Sequence, residues 1–220
     1  MRFTSIDIHL PPFTVLPIAL VMISVLAGCE PRQPSLNIIE AVGRKHYSLR
    51  EVEMFLDEDP KAIDETNDFG QRPLQIVSLK GRTRAVELLL DHGANVNATD
   101  DDRRTALHSA SHAGETESAI RLLDAKAQVN VEDKNGKIPL HDVVEWSPGD
   151  IELVHSLIES GADVNAKTND GETPLDLVIR RMEIYAKPSK HRRRSFDLQM
   201  IQQYEAVEEV LKIAMAEIGN

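Results

Sequence analysis

The sequence predicts an all-α solenoid of about five stacked helix-turn-helix units, with short β-hairpin fingers between them and, in front, a leader that holds a long uncharged run. Three observations predict it. A phrase recurs at residues 93–98 (GANVNA), 126–131 (KAQVNV) and 161–166 (GADVNA), which spaces Val96, Val129 and Val164 by 33 and 35 residues. A second phrase keeps the same step: Arg72-Pro73-Leu74, Thr105-Ala106-Leu107-His108, Ile138-Pro139-Leu140-His141 and Thr173-Pro174-Leu175. The third is an uncharged run over residues 10–28 that leads into Cys29, the one cysteine of the 220 residues. A period near 33 suits helix pairs, because one pair cannot bury its own apolar face and needs a neighbour on each side.

Residues 1–28 read as an address rather than as structure. Arg2 precedes the apolar run, and Leu26-Ala27-Gly28 supplies the small residues that a cleavage site needs. The four residues LAGC resemble the bacterial lipobox. That resemblance implies cleavage before Cys29, diacylglycerol on its sulfur and a lipid-anchored protein; Glu30, not Asp, after the cysteine implies sorting to the outer membrane, facing the periplasm. The other reading is a retained anchor, since 19 residues are only just long enough to span a bilayer. With one cysteine there is no disulfide to form. The tether 29–35 has two prolines and, stretched, the six residues after Cys29 reach only about 20 Å, so the folded part would sit close to the bilayer. Removing the leader takes one Arg and one Asp, so the remaining chain keeps the net charge of −11. Such a field repels nucleic acid.

Residues 36–220 form the repeat domain. Repeat one, near 36–66, is degenerate: Ile38, Ile39 and Val42, then Val52, Phe55 and Leu56, then Ile63-Asp64, with Ile63 placed 33 before Val96. Repeats two to four fall near 67–99, 100–132 and 133–167. Gly81 and Gly114 end first helices where a left-handed residue is wanted. Second helices carry Val86, Leu89 and Leu90; Ile120 and Leu123; Val154, Leu157 and Ile158 at helical spacing. Residues 145–150 (EWSPGD) hold a two-residue insertion, which accounts for the longer step. Repeat five, near 168–217, opens on Thr173-Pro174, a capping hydroxyl before a proline at the first helical position. Residues 183–199 then interrupt the pattern, and Met200, Tyr204, Val207, Leu211, Ala214 and Ile218 recur at steps of 4, 3, 4, 3, 4. That stripe predicts a capping helix of roughly five turns.

These phrases resemble the ankyrin-repeat family, whose pattern runs D-x-x-G-x-T-P-L-H, then a leucine-rich helix, then G-A-D-V-N-A. The resemblance covers residues 36–182 and is strongest over 67–179. It implies a non-catalytic protein-binding scaffold, and it implies that the His of T-P-L-H is a structural pin between neighbouring backbones. Arg103 and Lys126 stand where the family has glycine, and each costs up to about 1 kcal/mol if the backbone stays left-handed. Arg72 and Ile138 replace the capping Thr, and Ala106 replaces Pro.

No chemical site competes with this reading. His108 and His112 lie four apart on one helix, a spacing that can grip a metal, but no Cys or carboxylate completes the set. No nucleophile elbow is present, and Asp100-Asp101-Asp102 lacks the spacing of a calcium loop. No enzyme activity, cofactor or metal is expected. By position in the family, contacts to a partner protein are expected from finger tips and exposed edges of first helices. Those residues are Phe69, Leu79 and Lys80; Asp101, Arg104 and His112; Lys134, Lys137, Glu145 and Trp146; Arg180 and Arg181, with Asp68, Gln71, Asp102, Asn135, Asn169, Asp170 and Glu172 beside them. Phe69 and Trp146, the single Trp, are hot-spot types; Trp146 could equally fold over the inserted turn. The acid-free basic run Lys187, Lys190, His191, Arg192, Arg193 and Arg194 is a solvated loop or a contact to lipid, polysaccharide or an acidic partner. A monomeric inhibitor or immunity protein for an exported toxic enzyme is the leading function, and a structural adaptor of an envelope complex or stress enzyme is the alternative.

Overall fold

Each repeat opens on a helix whose start is written in the sequence. Pro73, Pro139 and Pro174 stand at first helical positions, where a missing N–H costs nothing. Thr105 caps its helix through its hydroxyl, which accepts from the His108 backbone N–H at 3.4 Å. The computed structural model describes residues 37–186 and 194–218. The expected leader, Cys29, the tether and Lys187, Lys190, His191, Arg192 and Arg193 lie outside the described residues.

The first helices of the five repeats are α1 (Ile38–Gly43), α3 (Pro73–Leu79), α5 (Ala106–Ala113), α7 (Pro139–Trp146) and α9 (Pro174–Ala186). The second helices are α2 (Leu49–Glu58), α4 (Thr83–Asp91), α6 (Thr116–Asp124), α8 (Ile151–Glu159) and α10 (Arg194–Ile218), with a 3-10 turn at Pro60–Asp64. First helices pack on first helices and second on second, each with its neighbours along the stack. Between the two layers runs one continuous core. Val42, Val52, Val77, Leu89, Leu107, Leu122, Val143, Leu157, Leu177 and Leu211 are all buried in it. The all-helical solenoid is thus as the periodicity predicts.

Four local expectations change. The fingers hold no strand among the described residues. Each is closed by one backbone hydrogen bond and one side chain at its base. Asn67 Oδ1 accepts from the N–H groups of Phe69 and Gln71 at 3.0 Å, Asp100 from Asp102 and Arg104, and Asp133 from Asn135 and Lys137. In the fourth finger Thr168 takes the Asx place, its hydroxyl accepting from the Glu172 N–H at 3.3 Å. In α6 the fully buried pair is Ala119 and Leu122, one residue before the expected Ile120 and Leu123, which are half-buried. Helix α9 runs to Ala186 and α10 starts at Arg194, so the segment expected to be irregular is helical at both ends, and Arg194 belongs to the helix, not to a loop. The cap therefore spans 25 residues, about seven turns, not five. Of its expected stripe, Tyr204, Val207, Leu211 and Ala214 are buried and Met200 is half-buried.

Arg103 and Lys126 adopt φ of 61° and 65°, so both keep the left-handed backbone without a glycine. Repeat one is tied on by a residue whose role was not visible in the repeat pattern. Arg82 donates to the carbonyls of Val42 and Arg44 at the end of α1, and its guanidinium lies 4.0 Å over the Tyr47 ring.

Candidate functional site

The fingers are held to one another by backbone. Asp101 N–H donates to Phe69 O at 3.2 Å, Lys134 N–H to Asp102 O at 2.9 Å and Asn169 N–H to Asn135 O at 2.8 Å. Side chains do the same one layer below. His108 accepts the Thr105 N–H on Nδ1 at 3.1 Å, and its Nε2 meets Lys137 O, one repeat on, at 3.1 Å. Gln75 does the same in repeat two, accepting from Arg72 N–H and donating to Arg104 O at 2.6 Å, while His141 accepts the Ile138 N–H and its Nε2 meets Ala166 O at the end of its own repeat. The pin role that the family resemblance implied for His is present, and an imidazole that accepts on Nδ1, as both do, bridges in its neutral form. Burial pushes both below their ordinary value of 6.5. Among the described residues no group of three or more metal-type side chains gathers. In repeat five Asp176 takes the pin position; it accepts from the Thr173 N–H and hydroxyl at 2.8 and 2.7 Å and bridges to no later carbonyl among the described residues.

These ties space a row of side chains along the face bounded by fingers and first helices. Phe69 is 71% exposed, and with Leu79 it walls a groove of about 230 Å³ whose other sides include Arg104, Asp102 and His112. His112 continues the row, its ring 5.3 Å from that of Trp146. Trp146 is 52% exposed, and the guanidinium of Arg181 lies 4.7 Å over its ring. Thus Trp146 sits between repeats three and five. Phe69, Leu79, Arg104, His112, Trp146 and Arg181 form one strip across four repeats. Lys80 and Asp101 are exposed beside it, and Lys134 bridges to Asp102 at 3.3 Å.

Glu145 differs from its expected part. Its carboxyl is only 8% exposed and takes Lys137, Arg181 at 2.8 Å and Arg180 at 3.4 Å. It lies under the surface and holds other contact residues in place. Burial alone would raise its pKa, but Lys137 and Arg181 outweigh that and hold it below the ordinary carboxylate value. A second buried acid, Asp142, was not anticipated. It pairs with Arg104 at 3.1 Å and faces His112 Nδ1 at 3.9 Å. The available signal was an acid one residue past His141, where repeats two and five carry Ile76 and Leu177. Tyr204 on α10 supports the site from behind: its hydroxyl donates to Glu145 O at 3.1 Å.

A family model described as Ankyrin repeats (3 copies) matches residues 38–133 and, overlapping, 94–168, more than half of the chain. No curated protein matches it in sequence.

Proposed function

The chain belongs to the ankyrin-repeat family, and from that premise we propose that the strip from Phe69 to Arg181 binds a partner protein at the surface of a bacterial envelope. The observation that carries this is the set of large apolar side chains kept in water on one face: Phe69, Leu79 and Trp146 are all exposed. Leaving such groups solvated is unfavourable unless a partner covers them. The module acts by holding, not by chemistry. A partner recovered from detergent-solubilised envelope and repurified gives the test. Phe69→Ala and Trp146→Ala should each weaken its binding by at least about 2 kcal/mol, more than tenfold in Kd. Unchanged binding with a lowered melting temperature would assign Trp146 to packing alone.

The lipobox resemblance at residues 26–29 supports a lipid anchor on Cys29, most simply on the periplasmic face of the outer membrane. Cys29→Ser should then block processing and acylation and release the protein from membranes. If the variant pellets with membranes as before, the leader is a spanning anchor. A tethered, non-catalytic binding face suits an inhibitor that shields its own cell from a toxic exported enzyme. Deleting the protein should then be lethal only when that enzyme is also encoded. Viability in both backgrounds, with steady co-purification of an envelope assembly, would make it an adaptor.

A further inference from the structure

Resting on the binding face just proposed, we infer that its floor around Trp146 receives an acidic segment of the partner protein, with a carboxylate seated on Arg180 and Arg181 and an apolar neighbour laid on the indole. The charges of this floor are layered. Asp142 and Glu145 are beneath, their side chains 3% and 8% exposed. Arg104, Lys137, Arg180 and Arg181 lie over them. A molecule approaching from solvent therefore meets guanidinium and ammonium groups first. In a chain of net charge −11 this is a local reversal of sign.

The fold does not require the buried acids. At the position of Asp142, repeat two has Ile76 and repeat five has Leu177, both buried in the same layer. At the position of Glu145, repeat two has Leu79 and repeat three has His112. A buried ion pair is seldom more stabilising than an apolar replacement of the same volume, so stability alone does not explain these two acids. What they do is hold cations still. An arginine in water loses considerable rotamer freedom when it grips a ligand. Here Arg181 is already fixed by Glu145 on one side and by the Trp146 ring on the other. Arg180 is held between Glu145 and Glu172, its Nε 3.3 Å from Glu172 Oε1. The ordering has been done before the partner arrives.

Donor capacity remains. The Arg180 side chain stays 48% exposed and that of Arg181 21% exposed while both grip Glu145. A guanidinium carries five N–H donors in a plane, which suits a carboxylate that can accept two at once. Trp146 beside it offers the apolar surface that a bare anion would not use, so the chemistry favours an Asp- or Glu-bearing peptide segment with an aromatic or aliphatic residue next to the acid.

The test uses the full chain in detergent micelles and a displayed library of random 12-residue peptides. Trp146 is the only tryptophan, so its emission reports occupancy of the floor directly. Selected peptides should be net negative and contain an apolar residue, and they should shift Trp146 emission on binding. Replacing their acids by the matching amides should weaken binding roughly tenfold, as should Arg180→Gln in the protein. Amide replacement in the peptide leaves the protein untouched, so the test stands even if Arg180→Gln folds poorly. Selected peptides that are basic or uncharged, or that bind Arg180→Gln as well as the parent, would overturn the acidic anchor. The face itself would survive that result if Phe69→Ala still abolished binding. Recovery of no peptide, or binding indifferent to Phe69→Ala and Trp146→Ala, would sink both. Vesicles rich in phosphatidylglycerol serve as a competitor: displacement of the peptides by lipid would reassign the floor to a headgroup.

Discussion

The same bridge is built three times from two residue types, and the difference is testable. His108 and Gln75 each accept a backbone N–H from their own repeat and reach a carbonyl of the next; His141 accepts in the same way and reaches Ala166 O at the end of its own repeat. A protonated imidazole cannot accept, so the bridge needs neutral His. Burial holds the folded pKa of both below 6.5, and neutral His favours the folded state. The resulting stability is fully present above the unfolded value and drains away as pH falls from about 6.5 through the folded value. Melting temperature should thus drop between about pH 7 and pH 5. The double variant His108→Gln with His141→Gln should flatten that slope, since Gln75 already does the work without titrating. An unchanged slope would place the acid sensitivity elsewhere. Arg103 and Lys126 offer the converse case. Each holds a positive φ, so Arg103→Gly and Lys126→Gly should each stabilise by up to about 1 kcal/mol in chemical denaturation. These positions were legible because the repeats supply their own control: a residue is odd only against its counterparts 33 residues away. Asp142 and Arg82 were not legible, because their partners, Arg104 and the carbonyls of α1, are brought near only by stacking.

Helix α10 shows what periodicity can and cannot convey. Its buried stripe of Tyr204, Val207, Leu211 and Ala214 could be read from spacing, since one face of a helix repeats every three or four residues. Its start at Arg194 could not. A run of basic residues after Pro188 has loop composition, yet the helix begins within it. The finger turns failed for a related reason. A pattern of Asn, Asp and Gly signals a reversal, but whether strand ladders flank it depends on how many residues remain, and here one backbone bond and one side chain suffice. The candidate site follows the same rule. Its finger and helix-edge positions were readable by register, but the inward turn of Glu145 under three cations depends on α9, which lies about one repeat further on.

Taken whole, the molecule has only neighbour-to-neighbour stability. Every helix touches its own partner and the adjoining repeats. Leu211→Ala in the cap should cost about 2–5 kcal/mol, and the loss should not spread evenly. Hydrogen exchange should quicken first in α9 and α10, then in α7 and α8, while α3 and α4 keep their protection. Uniform loss along the chain would mean that the stack melts as one unit. The pin position of repeat five has a longer reach than stability. Bonds from Thr173 hold Asp176 below its ordinary pKa, so it stays ionised and has no proton to hand onward. Gene duplication can therefore lengthen this protein from within, where a new unit meets a donor behind it and an acceptor ahead. A unit appended after the fifth would find no such welcome, so longer descendants should keep their tail and multiply their middle.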